Sequence, residues 1–185
     1  MANLFAVISI LVAIFIALIP HIRKAYLQGP ELTIELLRNG GGSLPMGLSN
    51  KNIPDDDGVI EMRNAIQIFR LTWNLVLIIR NNSEQTAYYP RMVFGKDQAA
   101  FFSIDVLNEQ EPIGSNGKIT LTAVYQEVEE VKGEQRNKMI DLPPAIKDIQ
   151  ILLEYKNASK RTFYTHYGNT DKSNIFLRKK PKEFK

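Results

Sequence analysis

From Ala65 to Arg80 the chain alternates with a period of two, and no other feature restricts its folding so tightly. Phe69, Leu71, Trp73, Leu75, Leu77 and Ile79 fall on one face of an extended strand, while Arg70, Thr72 and Asn74 fall on the other. Successive strand side chains point to opposite faces, so this segment reads as a half-buried antiparallel strand. At Val76 and Ile78 it becomes apolar on both faces. Trp73, the only tryptophan, belongs in the core on this reading.

Shorter strand signals surround it. Glu31 to Arg38 places Leu32, Ile34 and Leu36 on one face. Asn81-Asn82-Ser83-Glu84 makes a turn, and Tyr88 to Phe94 follows, with Pro90 marking an edge or a bulge. Ala99 to Leu107 and Lys118 to Val128 read as strands separated by the turn Pro112 to Gly117. Ile149 to Tyr155 and Arg161 to Tyr167 form a hairpin about Lys156-Asn157-Ala158-Ser159, and a last strand runs from Asn174 to Leu177. Residues 39–58 hold Gly40-Gly41-Gly42, Pro45, Gly47, Pro54 and Asp55-Asp56-Asp57-Gly58, which predicts a long functional or mobile loop. Seven or so short strands with little amphipathic helix predict an antiparallel β-sandwich over residues 29–177.

The N-terminus has a different character. Leu4 to Ile19 is apolar except for Ser9. Extended to Ile22 it would reach about 31 Å as a helix, close to the ~30 Å hydrocarbon core of a bilayer. It lacks the basic start and the small-residue cleavage site of a signal peptide. A run apolar on all sides is not the stripe of a surface helix. The expectation is an uncleaved single-pass transmembrane helix within residues 1–28, with Leu4, Phe5, Ile8, Leu11, Ile14, Phe15, Leu18 and Ile19 facing lipid. Arg23 and Lys24 follow the run and no cation precedes it, so the positive-inside rule puts the sandwich on the cytoplasmic face.

The formal charge of +3 is concentrated in a basic tail, 178–185, where Arg178, Lys179, Lys180, Lys182 and Lys185 oppose only Glu183. Without that tail the chain is slightly acidic, so the domain carries no basic stripe for nucleic acid. The absence of cysteine removes disulfides, thiolate catalysis and cysteine-type zinc sites.

The stretch Trp73-Asn-Leu-Val-Leu-Ile-Ile-Arg-Asn81-Asn-Ser83-Glu-Gln-Thr-Ala87-Tyr88 resembles bacterial immunoglobulin-like domains, in which a hydrophobic strand ends in Asn-x-Gly/Ser and Ala-Tyr opens the next strand. Ile149 to Asn157, followed by Phe163-Tyr164-Thr165, is similar to the closing hairpin of those domains. The resemblance covers residues 66–167. It departs from the pattern at Ser83, where glycine is usual, and in the 156–161 turn, which has no glycine. It implies an immunoglobulin-like fold in a bacterial, N-terminally anchored protein and no activity, since such sandwiches host many functions.

Searching for chemistry leaves little. There is no His-Glu-x-x-His, Gly-x-Ser-x-Gly or phosphate-loop pattern. His166, near Tyr164 and Tyr167, reads as structural, and Asp55-Asp56-Asp57 reads as a solvated turn rather than a calcium loop. Asn81-Asn82-Ser83 and Asn157-Ala158-Ser159 match glycosylation acceptors but fall in turns that want Asn and Ser anyway. No enzyme, cofactor or metal is expected. The doublets Tyr88-Tyr89, Phe101-Phe102 and Phe163-Tyr164 must each turn one ring outward on a regular strand, unless a second face is buried. Tyr88, Tyr89, Phe102 and Tyr164, with the loop 39–58, are therefore the candidate protein contacts. The expected function is a membrane-tethered, non-enzymatic binding or assembly module whose partners are the bilayer and either another protein or itself. The alternative is a ligand-sensing or membrane-disrupting effector that oligomerises through its helix, using Ala2-x-x-x-Ala6 and Ala13-x-x-x-Ala17.

Overall fold

The structure, a computed structural model, describes residues 2–22, 28–95, 101–132 and 142–184. Helix α1 spans Ala2–Ile22. The strands are β1 (Leu32–Leu48), β2 (Ile66–Asn81), β3 (Tyr88–Phe94), β4 (Ser103–Ile104), β5 (Lys118–Lys132), β6 (Gln150–Lys156), β7 (Thr162–Gly168) and β8 (Ser173–Leu177). A single helical turn, α2 (Pro144–Lys147), precedes β6, and a 3₁₀ turn covers Lys182–Phe184.

Two antiparallel four-stranded sheets form, in the orders β1-β2-β5-β4 and β3-β6-β7-β8. The period-two face of β2 packs as expected: Leu75, Leu77 and Ile79 join Ile34, Leu36 and Leu121 of their own sheet against Ile151, Leu153, Tyr155 and Tyr167 of the other. The mainly β, sandwich-like expectation holds. Pro90 lies at a register shift between Tyr88 and Arg91 on an edge strand, where its missing N–H costs no ladder bond.

The expected membrane anchor is corrected. Among the described residues, no helix is long and apolar enough to cross a membrane. This overturns both the single-pass transmembrane helix and the cytoplasmic-face placement built on it. Arg23 and Lys24 lie outside the described residues, as do the side chains of Leu4 and Phe5.

The predicted loop 39–58 is also corrected. Its first part is strand: β1 continues to Leu48, pairing Gly42 with Thr72, Leu44 with Arg70 and Leu48 with Gln67. Two register shifts, Arg38/Gly41 and Pro45/Gly47, absorb the residues that suggested a loop. Gly41 is needed there, because a Cβ would lie 2.4 Å from the Thr72 carbonyl oxygen. The predicted strand Ala99–Leu107 contracts, among the described residues, to the two residues of β4, which pair Ser103 with Val124 and Ile104 with Ala123.

Sheet lengths do not match. β1, β2 and β5 have 17, 16 and 15 residues, whereas β6 and β7 have 7 each. At ~3.3 Å per residue the first sheet outruns the second by more than 25 Å, roughly. The overrun is a three-stranded arm made of 41–48, 66–73 and 125–132.

Where the sheets overlap, side chains of the second close the free edge of β1. Thr165 Oγ1 donates to the Leu32 carbonyl at 2.7 Å. The Ile34 N–H donates to Asn174 Oδ1 at 2.8 Å, and Asn174 Nδ2 donates to the Ile34 carbonyl at 3.0 Å. The Leu36 backbone bonds to the Tyr167 hydroxyl. Buried asparagines fix the turns. Asn81 Nδ2 donates to the carbonyls of Gln85, Ile113 and Gly114 at 2.7–3.0 Å, while its Oδ1 takes the N–H and hydroxyl of Ser83. Asn157 Oδ1 accepts the Arg161 N–H at 3.0 Å, and Lys160 takes the positive φ (59°) that a glycine would otherwise supply. Both acceptor-like asparagines are thus buried and engaged in turns.

Candidate interaction surface

The arm exposes large apolar side chains on its outer face and at its tip. Along the overlap, the row Leu36–Leu77–Leu121 is covered by the second sheet. In the arm, the row Leu44–Arg70–Val128 lies on the opposite, outer face, where Leu44 and Val128 are 57% and 63% exposed, while Leu71 and Trp73, on the same face as Leu77, stay buried. Met46 and Leu48 are exposed beside it. The loop 49–65 at the tip adds Ile53, Val59 and Met62, all exposed.

That loop is held in shape. Asn52 Nδ2 donates to the carbonyls of Ser49 and Ile66, both at 2.8 Å, and its Oδ1 accepts the Ile66 N–H. Glu130 of β5 accepts from the Ser49 hydroxyl at 3.0 Å and pairs with Lys51. The Lys51 bond, then the Ser49 bond, hold the Glu130 carboxyl below its ordinary range. Asp55 Oδ1 accepts the N–H groups of Asp57 and Val59, which makes the acidic stretch a closed turn. Among the described residues, no group of His, Asp and Glu is placed to hold a metal ion.

The aromatic candidates are divided. Tyr89 is 58% exposed at the β3 register shift, with the Lys156 ammonium 5.8 Å from its ring centroid. Tyr88 and Tyr164 are half-buried, on strands of the second sheet. Phe102 is 70% exposed but precedes β4 in the first sheet, so the four do not form one patch. Their doublet partners Phe101 and Phe163 pack inward, Phe101 edge-on to Phe94 at 5.5 Å and Phe163 stacked on Tyr155 at 6.3 Å. Trp73 is 3% exposed, tilted on Tyr125 at 5.8 Å.

The sequence reading put Val128 at the end of a strand and Leu44 in the 39–58 loop, but missed that pairing with Arg70 brings the two onto one row. A signal was present: the alternation of β2 begins at Ile66, and a strand that long needs ladder partners along its whole length.

At the opposite end of the sandwich an open cleft of about 590 Å³ is lined by Gly29, Glu31, Glu84, Tyr155, Phe163 and Arg178, among others. Burial pushes the Tyr155 hydroxyl above its ordinary pKa, partly offset by its bond to Thr165. The cleft holds the carboxylates of Glu31 and Glu84 and the guanidinium of Arg178 around the rings of Tyr155 and Phe163.

No protein-family model, curated protein or solved structure matches the chain.

Proposed function

We propose that this chain is a non-enzymatic binding or assembly module that engages another protein, or a second copy of itself, through the arm of its first sheet. One observation carries the reading: the exposed large apolar side chains Leu44, Met46, Leu48, Ile53, Val59, Met62 and Val128 gather on the arm and its tip. Apolar groups gathered in one exposed region are a mark of interaction surfaces. The ordered tip supports it, because a preorganised loop loses less entropy on binding. Kinship with bacterial immunoglobulin-like modules is part of the proposal. It is supported by the residue patterns 73–88 and 149–167 together with two antiparallel sheets.

The test is site-directed photo-crosslinking in cells, with the probe at position 44 or 128 and a control at exposed Arg80. Adducts concentrated at 44 and 128 support the reading; adduct levels equal to those at position 80 overturn it. The cleft beside Tyr155 favours a second reading, a sensor of a small polar ligand, because its charged rim and aromatic floor suit such a molecule.

A further inference from the structure

The cleft beside Tyr155 is an open mouth between the two sheets, and its charge is sorted by sheet. Phe176 of β8 is the cross-strand partner of Thr165, which is fully buried between the sheets. The Phe176 ring therefore faces the same inner side, yet it is 47% exposed at the cleft wall. Phe163, stacked on Tyr155, makes the floor. The Gly29 backbone lies against that ring so closely that a Cβ would stand 2.3 Å from it.

The first sheet supplies the anions. Glu31 stands just before β1 and Glu84 in the turn after β2. The Asn82 N–H donates to the Glu31 carbonyl at 2.9 Å, which ties the two segments together. Besides burial, the Glu31 charge helps to raise the Tyr155 hydroxyl, so that charge stands over the aromatic floor. The second sheet supplies the cations. Arg178 follows β8, and with Arg161, just before β7, it also lines an adjoining hollow of about 220 Å³ that shares Phe163 with the cleft. A guanidinium has five N–H donors, so a partner within the protein still leaves donors for a ligand carboxylate. A ligand of one charge is drawn to one side of this mouth and repelled by the other. A molecule with an ammonium and a carboxylate around an apolar group meets opposite charge at each end and an aromatic surface between. The cleft volume of about 590 Å³ suits a small molecule.

We propose that the cleft binds a zwitterion with an apolar side chain, an amino acid or a short peptide, its ammonium at Glu31 and Glu84 and its carboxylate at Arg161 and Arg178. The inference rests on the second reading of the cleft, as the site of a small polar ligand, and gives that ligand its chemistry. It is independent of the arm.

Calorimetric titration of the full chain with L-phenylalanine and with the tripeptide Ala-Phe-Ala tests the proposal and separates its two sources. Saturable binding of at least one is expected, weakened about tenfold or more by N-acetylation and equally by C-amidation. In the chain carrying Glu31→Gln and Glu84→Gln, acetylation should no longer matter, while amidation should keep its full effect. Both glutamates are exposed, so these changes leave the fold intact. Blocked forms that bind as tightly as the free zwitterion overturn the proposal and leave the cleft to another polar ligand. So does an acetylation penalty that persists in the double variant, since the ammonium is then held elsewhere. Absence of binding by every form overturns both the proposal and the reading beneath it.

Discussion

The overlap and the arm of the first sheet are built from the same three strands, in the same order, on one continuous ladder. In the overlap, Leu77 is fully buried; in the arm, Val128 is mostly exposed. The difference does not lie in strand propensity or pairing. It lies in the face: Leu77, like Leu71 and Trp73 of the arm, points to the buried side of the sheet, whereas Val128, level with Arg70, points to the other. Backbone pairing makes a sheet, but only a second layer buries its face.

Substitutions should separate the two regions sharply. Leu77→Ala removes a fully buried side chain between the sheets and should cost about 2–5 kcal/mol in urea unfolding. Leu44→Ala in the arm should change stability by less than ~0.5 kcal/mol while reducing crosslinking there. A large loss at Leu44 would mean the arm belongs to the folded core. Asn81→Ala should come close behind Leu77→Ala. It leaves the carbonyls of Gln85, Ile113 and Gly114 without their shared donor, at a cost of roughly 2–3 kcal/mol. Because Asn81 ends β2 at the overlap end, amide exchange should quicken first in the 82–87 turn and last in the arm.

Two pH effects sharpen the contrast further. Burial raises the Tyr155 pKa above the ordinary 10.0. Between the unfolded and folded values only the unfolded chain ionises, so stability is fully present below pH 10 and falls as pH rises through the folded value. Tyr155→Phe should flatten this alkaline loss in denaturant titrations between pH 9 and 11, roughly. Glu130 has the opposite sign: its pKa is depressed, so its contribution is present above the ordinary 4.5 and is lost as pH falls through the lower folded value. Glu130→Gln should be the mildest change. Faster amide exchange is expected over residues 49–65, with an unchanged melting temperature; protection that stays the same would show that Asn52 alone holds the tip.

Much of the overlap was legible in advance. The alternation in 65–80, the hairpin about 156–161 and the Pro90 irregularity each follow from local chemistry. The arm was not. Gly40-Gly41-Gly42 and Pro45 read as breakers, because nothing local shows that β2 runs alongside them or that Gly41 must admit the Thr72 carbonyl. The outward aromatics were half legible. Phe101 and Phe163 pack against the core, but neither Tyr88 nor Tyr89 joins it, and period two gives no information on which sheet carries the outward rings. The apolar N-terminal run misled in another way: composition suggested a membrane span, and no helix among the described residues is long and apolar enough to make one.

The clasp on β1 has a consequence for the order of events in folding. Leu32 and Ile34 are joined to Thr165 and Asn174 across 133 and 140 positions of sequence. On a growing chain, β1 and β2 can pair long before those partners exist. Until β7 and β8 form, the β1 edge stands open to neighbouring nascent chains. Contacts of such long range form slowly. Loss of the last strands would therefore be felt first at the beginning of the domain, as chains that stick to one another during synthesis.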